Sequence, residues 1–131
     1  MRGLVIENTV SLRRLFKSIL QTELPSMTII EAADGPEAFL MAQRDRPDII
    51  LMDAHLNGEK GFELSRKIKD KFPDTVLIVL DVHGIPEYRE AAASSGADYF
   101  LDISSMIRHK VSPLIRSILL EKGVACPETS D

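Results

Sequence analysis

Several polar residues able to do chemistry sit directly after short apolar runs. Glu7 and Asn8 follow Leu4-Val5-Ile6, and Asp53 follows Ile49-Ile50-Leu51-Met52. Asp81 follows Val76-Leu77-Ile78-Val79-Leu80, and Asp102 follows Tyr99-Phe100-Leu101. Brought together, carboxylate and amide oxygens of this kind can hold Mg²⁺, which takes a few protein ligands and keeps several waters. Such an ion offsets the repulsion between the acids and neutralises charge when a phosphoryl group arrives. An aspartate can then act as nucleophile and form an acyl phosphate. Taken singly, each acid reads as a solvated loop residue or a helix cap, and Asn8 could simply cap the first helix. The chemistry therefore depends on a fold that gathers them.

The apolar pattern supplies such a fold. The β-branched runs, with Met27-Thr28-Ile29-Ile30 as the second, suit strands buried on both faces. Between them the spacing is helical. Leu12, Leu15, Phe16, Ile19 and Leu20 share one face, as do Val111, Leu114, Ile115 and Ile118. Asp34, Pro36 and Glu37 mark a helix start. Leu64, Ile68 and Phe72 form a stripe that stops before Pro73, and the Ala-rich segment from Pro86 to Ser95 ends at Gly96. Pro113 either opens the last helix or kinks one that begins near Ser104.

Strand and helix thus alternate five times. The expected fold is α/β: a five-stranded parallel sheet with helices on both faces, doubly wound and flavodoxin-like. In its common strand order, strands one, three and four are neighbours. Ligands bind beyond the carboxyl ends of such strands, which puts Glu7, Asn8, Asp53 and Asp81 around one crevice.

The bulk properties agree with one domain. A chain of 131 residues leaves little room for a second, so residues 1–123 are read as the domain and 124–131 as a polar, frayed tail. The net charge is −4, and the basic residues are scattered, so no nucleic-acid footprint is expected. No run approaches the roughly 20 apolar residues of a membrane span, and Met1-Arg2-Gly3 does not open a signal peptide. The single cysteine, Cys126, forms no internal disulfide, which suits a cytoplasmic protein. His55, His83 and His109 lack metal-ligand spacing.

Together these residues resemble a response-regulator receiver domain, the phosphoacceptor module of two-component signalling. The likeness runs from about Gly3 to Lys122. It is carried by Pro47-Asp48 ahead of the strand ending in Asp53, by Gly61 eight residues beyond Asp53, and by Gly35, Glu37 and Ala38. Gly96-Ala97-Asp98-Tyr99-Phe100 completes it. The resemblance implies that Asp53 receives phosphate from a sensor histidine kinase or a phosphotransfer protein. It implies Mg²⁺ held by Glu7, Asn8, Asp53 and the backbone carbonyl of His55. It makes Asp81, Phe100 and Ile103 the switch positions. The protein would be a signalling module, not a metabolic enzyme.

Four departures from the family pattern stand out. The acidic pair, usually two acids, is Glu7-Asn8. Asp81 replaces a Thr or Ser hydroxyl, and a carboxylate cannot donate a hydrogen bond unless protonated. Facing phosphate, it would repel by about 4 kcal/mol at 4 Å and an effective dielectric near 20. Ile103 replaces a lysine, and Ser104 follows where the family has a cis proline, so a trans peptide is expected. Asn57 replaces a proline, with Gly58 beside it. The pocket would then hold three carboxylates, Glu7, Asp53 and Asp81, with no cation from the chain.

Two functions follow. One is an atypical phosphoacceptor in a phosphorelay. The other is a degenerate receiver acting as a phosphorylation-independent docking module. Either would meet an effector or a second copy through the fourth helix, fifth strand and fifth helix, with Leu101 and Ile107 contributing. A flavin or nucleotide protein of similar topology would need a phosphate loop after strand one, and Glu7-Asn8-Thr9-Val10 offers none.

Overall fold

The computed structural model describes residues 1–56, 60–104, 108–121 and 123. Ten elements alternate without exception: β1 (Arg2–Ile6), α1 (Val10–Glu23), β2 (Thr28–Ala32), α2 (Gly35–Asp45), β3 (Ile49–Asp53), α3 (Lys60–Lys71), β4 (Val76–Asp81), α4 (Pro86–Ser94), β5 (Tyr99–Asp102) and α5 (Arg108–Glu121). The strands form one parallel sheet in the order β2-β1-β3-β4-β5. This is the expected flavodoxin-like topology, with β1, β3 and β4 adjacent.

The uninterrupted apolar strands are explained by two cores. Successive strand residues point to opposite faces. Val5, Ile49, Leu51, Ile78 and Leu80 pack with Phe16, Ile19 and Leu20 of α1 and Ile115 and Leu119 of α5. Their neighbours Leu4, Ile6, Ile50, Met52, Leu77 and Val79 pack with Ala38 and Ala42 of α2, Leu64 and Ile68 of α3, and Ala92 of α4. Each central strand therefore serves both layers, and a polar residue in its middle would have no water to meet.

The helix signals hold with small shifts. Asp34 caps α2 by accepting from the Glu37 N–H at 2.9 Å, and the Glu37 carboxylate accepts from the Ala33 N–H at 2.8 Å. Helix α1 is capped by Thr9 rather than Asn8, without a side-chain cap bond. Pro113 lies inside α5, described from Arg108 to Glu121. The Ile103–Ser104 peptide is trans as expected. Asn57, Gly58, Ile107, Cys126 and the rest of the tail at 124–131 lie outside the described residues.

Candidate functional site

Three of the acids close their strands instead of following them. Asp53 is the last residue of β3, Asp81 of β4 and Asp102 of β5, while Glu7 follows β1 directly. Glu7 is 1% exposed and Asp53 3%. The two share a face. Glu7 continues the alternation of Val5, and Asp53 that of Ile49 and Leu51, all on the α1/α5 side.

The Glu7 carboxyl is divided in its contacts. Oε2 accepts from the Thr9 N–H at 2.8 Å, whereas Oε1 is buried with no hydrogen-bond partner among the described residues. The Asp53 carboxylate lies close enough to hydrogen-bond with it. Burial first, and then the hydrogen bond and charge of Asp53, push the Glu7 pKa up to about 8, against the opposing pull of Thr9. At neutral pH Glu7 therefore keeps its proton in the absence of a cation. An oxygen of this kind is satisfied by a proton or by a metal ion, and the donor set of two buried carboxyls with Asn8 beside them fits Mg²⁺. Asn8 itself is exposed, and the His55 N–H donates to Asp53 Oδ1 at 3.0 Å, which fixes the turn carrying the His55 carbonyl.

This arrangement makes stability depend on pH. Unfolded, Glu7 titrates at its ordinary 4.5; folded, at about 8. Between these values the unfolded chain binds fewer protons, so stability falls as pH rises. Melts in EDTA at pH 5.5 and pH 8 are expected to differ by about 10 °C, the lower pH being the more stable. Glu7→Gln should flatten the difference, and Mg²⁺ at pH 8 should recover it.

Asp81, expected in the same crevice, is engaged by its own loop. Asp53 is in register with Leu80, so the pleat sends Asp81 to the opposite, α4-facing side. There its Oδ1 accepts from the N–H groups of His83 and Gly84 at 2.9 and 3.1 Å, and its Oδ2 from Ile85 at 2.7 Å. The carboxylate is 1% exposed, and the three donors compensate its burial.

The Arg13 guanidinium donates to the Glu7 backbone carbonyl at 2.8 Å and to Glu31 at 3.2 Å. It clamps the β1–α1 turn from outside the carboxyl pair.

Ile103 packs in the α1/α5 core with Val111 and Ile115 at 8% exposure. Restoring a lysine there is expected to destabilise by about 2 kcal/mol, because a core side chain is lost and an ammonium must reach the rim. Urea unfolding of Ile103→Lys would measure it. Phe100 is half-buried on β5 on the opposite face, with the Arg89 guanidinium 5.2 Å from its ring centre.

A cluster of rings at the sheet edge had no sequence signal. The His55 imidazole hydrogen-bonds through Nδ1 with the Tyr88 hydroxyl and stacks on that ring at 5.9 Å. His83 meets His55 edge-on at 5.5 Å, and Phe62 meets Tyr88 at 5.6 Å. Loops and helices from four parts of the chain thus converge beside Asp53.

A parallel doubly wound sheet with a buried acidic pair at the carboxyl ends of its central strands defines a receiver-type site. Residues 4–104 match the response regulator receiver domain family, and the chain belongs to that family. It is 29% identical over 102 residues to the oxygen regulatory protein NreC of Staphylococcus epidermidis, covering 77% of this chain and 47% of that protein. It is 38% identical over 80 residues to a protein-glutamate methylesterase/protein-glutamine glutaminase of Myxococcus xanthus, covering 60% of this chain and 22% of that enzyme. The chain thus spans half or less of these curated relatives. Among solved structures, the response regulator domain of Thermotoga maritima CheB superposes with a TM-score of 0.75 at 28% identity, covering 95% of this chain and 98% of that one. The chemotaxis response regulator CheY4 of Vibrio cholerae gives 0.76 at 23% identity, covering 90% and 98%.

Proposed function

We propose that this receiver domain accepts a phosphoryl group on Asp53 from a sensor histidine kinase or phosphotransfer protein. The observation that carries the reading is the buried Glu7–Asp53 pair with Glu7 Oε1 left without a partner. An Asp53 carboxylate oxygen bonds to phosphorus while the donor's P–N bond breaks, and the electron pair leaves with the donor imidazole. Glu7, Asn8, Asp53 and the His55 backbone carbonyl would hold Mg²⁺. When bound, the ion supplies charge neutralisation for the incoming phosphoryl oxygens.

The chain's own groups do the remaining work. Thr9 N–H and Arg13 hold the Glu7 turn, and the His55 N–H orients Asp53. No lysine reaches the site from position 103, and the Asp81 carboxylate is committed to its loop. That favours a second reading for output, a docking module whose partner face is independent of phosphorylation. An effector or a second copy would meet α4, β5 and α5, where Leu101 is half-buried and Leu114 and Leu120 are exposed. None of the described helices is long and apolar enough to cross a membrane.

Incubation with acetyl phosphate and Mg²⁺, read by intact mass, tests the reading. One phosphoryl adduct per chain is expected, and none where the metal is chelated before the donor is added. Absence of the adduct with both acetyl phosphate and a phosphorylated histidine donor would overturn it.

A further inference from the structure

We propose that Asp81 fastens the β4–α4 loop in one arrangement and so insulates α4 and the Phe100 side of β5 from the state of Asp53. The inference rests on Asp53 being the phosphoacceptor only in its second half. The fastening itself is a property of the loop.

Three successive backbone N–H groups, of His83, Gly84 and Ile85, converge on the Asp81 carboxylate at 2.9, 3.1 and 2.7 Å. Such a run of amides is an anion-binding nest. Here the chain fills the nest with its own anion, and both carboxylate oxygens are used. A phosphoryl group on Asp53 therefore has no free amide in this run to recruit. Asp81 also substitutes for a missing helix cap. Ile85, the N-cap of α4, offers no side-chain cap bond, and Pro86 has no N–H. The start of α4 is tied instead to the end of β4.

The loop is braced on its other side as well. Gly84 has φ of +70°, and a Cβ there would lie 2.7 Å from Ser104 Oγ. Ser104 is itself held by Asp102, whose Oδ1 accepts from the Ser104 N–H at 3.0 Å and from its hydroxyl at 2.6 Å. The loop after β4 thus seats directly on the turn after β5. Further along α4, Arg89 covers the Phe100 ring at 5.2 Å. Strand end, loop, helix start and the aromatic at the switch position are connected by contacts of their own, and the Asp53 turn meets them through the rings of His55, His83 and Tyr88 rather than through the nest.

The test uses the full chain labelled with ¹⁵N. Amide exchange at His83, Gly84 and Ile85 is expected to be slow in the wild type and at least about tenfold faster in Asp81→Ala, corresponding to one lost hydrogen bond. Asp81→Asn, which keeps one acceptor oxygen, should fall between and serves if the alanine variant does not fold. Loop-rate exchange in the wild type, unchanged by either variant, would overturn the fastening. In a second arm, beryllofluoride and Mg²⁺ are added, and ¹⁹F resonances report occupancy of Asp53 independently of the amide shifts. Expected are a bound ¹⁹F signal, shifts next to Asp53, and little movement from Ile85 to Asp102. In Asp81→Thr the shifts should spread to Phe100. A bound signal with large wild-type shifts along α4 and β5 would overturn the insulation. No bound signal would count against Asp53 as phosphoacceptor, and the fastening is then decided by the exchange arm.

Discussion

Asp53→Asn is expected to abolish phosphoryl labelling of this chain and, in the same variant, to raise its melting temperature. The first effect follows from chemistry: an amide oxygen is not a nucleophile toward phosphorus under conditions where a carboxylate is. The second follows from the geometry. Two buried carboxyls share one pocket, and Glu7 Oε1 has no partner among the described residues. Asparagine removes one of the two acids and brings an N–H₂ able to donate to that oxygen. Its own carbonyl can still accept from the His55 N–H, as Asp53 Oδ1 does now at 3.0 Å.

At pH 8, where Glu7 is partly ionised, the gain should amount to about 1–2 kcal/mol, from a hydrogen bond to the charged carboxylate and relief of like charge. That corresponds to about 5 °C for a domain of this size. The gain should be larger at pH 8 than at pH 5.5. At the lower pH Glu7 holds its proton in the wild type too, because its pKa is pushed up to about 8. Calorimetry in EDTA beside an acetyl phosphate labelling assay checks both halves. A variant that loses labelling but also melts lower would show that Glu7 and Asp53 do not repel as described.

The fold was legible because its strands are buried on both sides, and such strands read as runs with no polar break. The Asp34–Glu37 pair marked α2 because a capping box is local. The central acids were legible because polar groups appear where central strands reach the surface. The apolar runs do not give the face on which a strand-end acid points. Asp81 sits one residue beyond the partner of Asp53, and one residue reverses the side of a strand. Strand ends cannot be placed to a single residue from apolar runs, so the sequence does not distinguish a pocket-facing Asp81 from a loop-facing one.

Arg13 and the ring cluster had no signal for a different reason. Arg13 acts on a backbone carbonyl, and any long cationic side chain on that face of α1 would look alike in sequence. His55, His83, Phe62 and Tyr88 meet only because four separate segments end at one sheet edge. Pairs formed by topology have no spacing rule.

Asp98→Ala is expected to cost the fold about 3–4 kcal/mol, although Asp98 lies at the far end of the sheet from Asp53. Asp98 immediately precedes β5, and its Oδ2 accepts from the buried Leu77 N–H at 2.8 Å and from Lys69 Nζ at 2.8 Å. Lys69 also donates to the carbonyls of Pro73 and Thr75 at 3.0 and 2.6 Å. The ion pair is largely covered, at 14% and 17% side-chain exposure. One carboxylate thus joins α3, the turn after it, β4 and the start of β5.

Removing it strands a backbone donor in the sheet, for about 1–3 kcal/mol, and leaves an ammonium covered without its anion. The two carbonyls still solvate Lys69, which keeps the total below the upper limit for a broken buried pair. Asp98→Asn preserves an acceptor for Leu77 and should lose only about 1–2 kcal/mol. Lys69→Met, which removes the charge and keeps the stem, should lie between. Urea unfolding of the three variants gives the order directly. Because Asp98 closes the sheet edge on which Phe100 and Asp102 are carried, the alanine variant should also speed amide exchange along β5 more than along β1. Equal losses for Asp98→Ala and Asp98→Asn would mean that the ion pair, and not the Leu77 amide, holds β5 to β4.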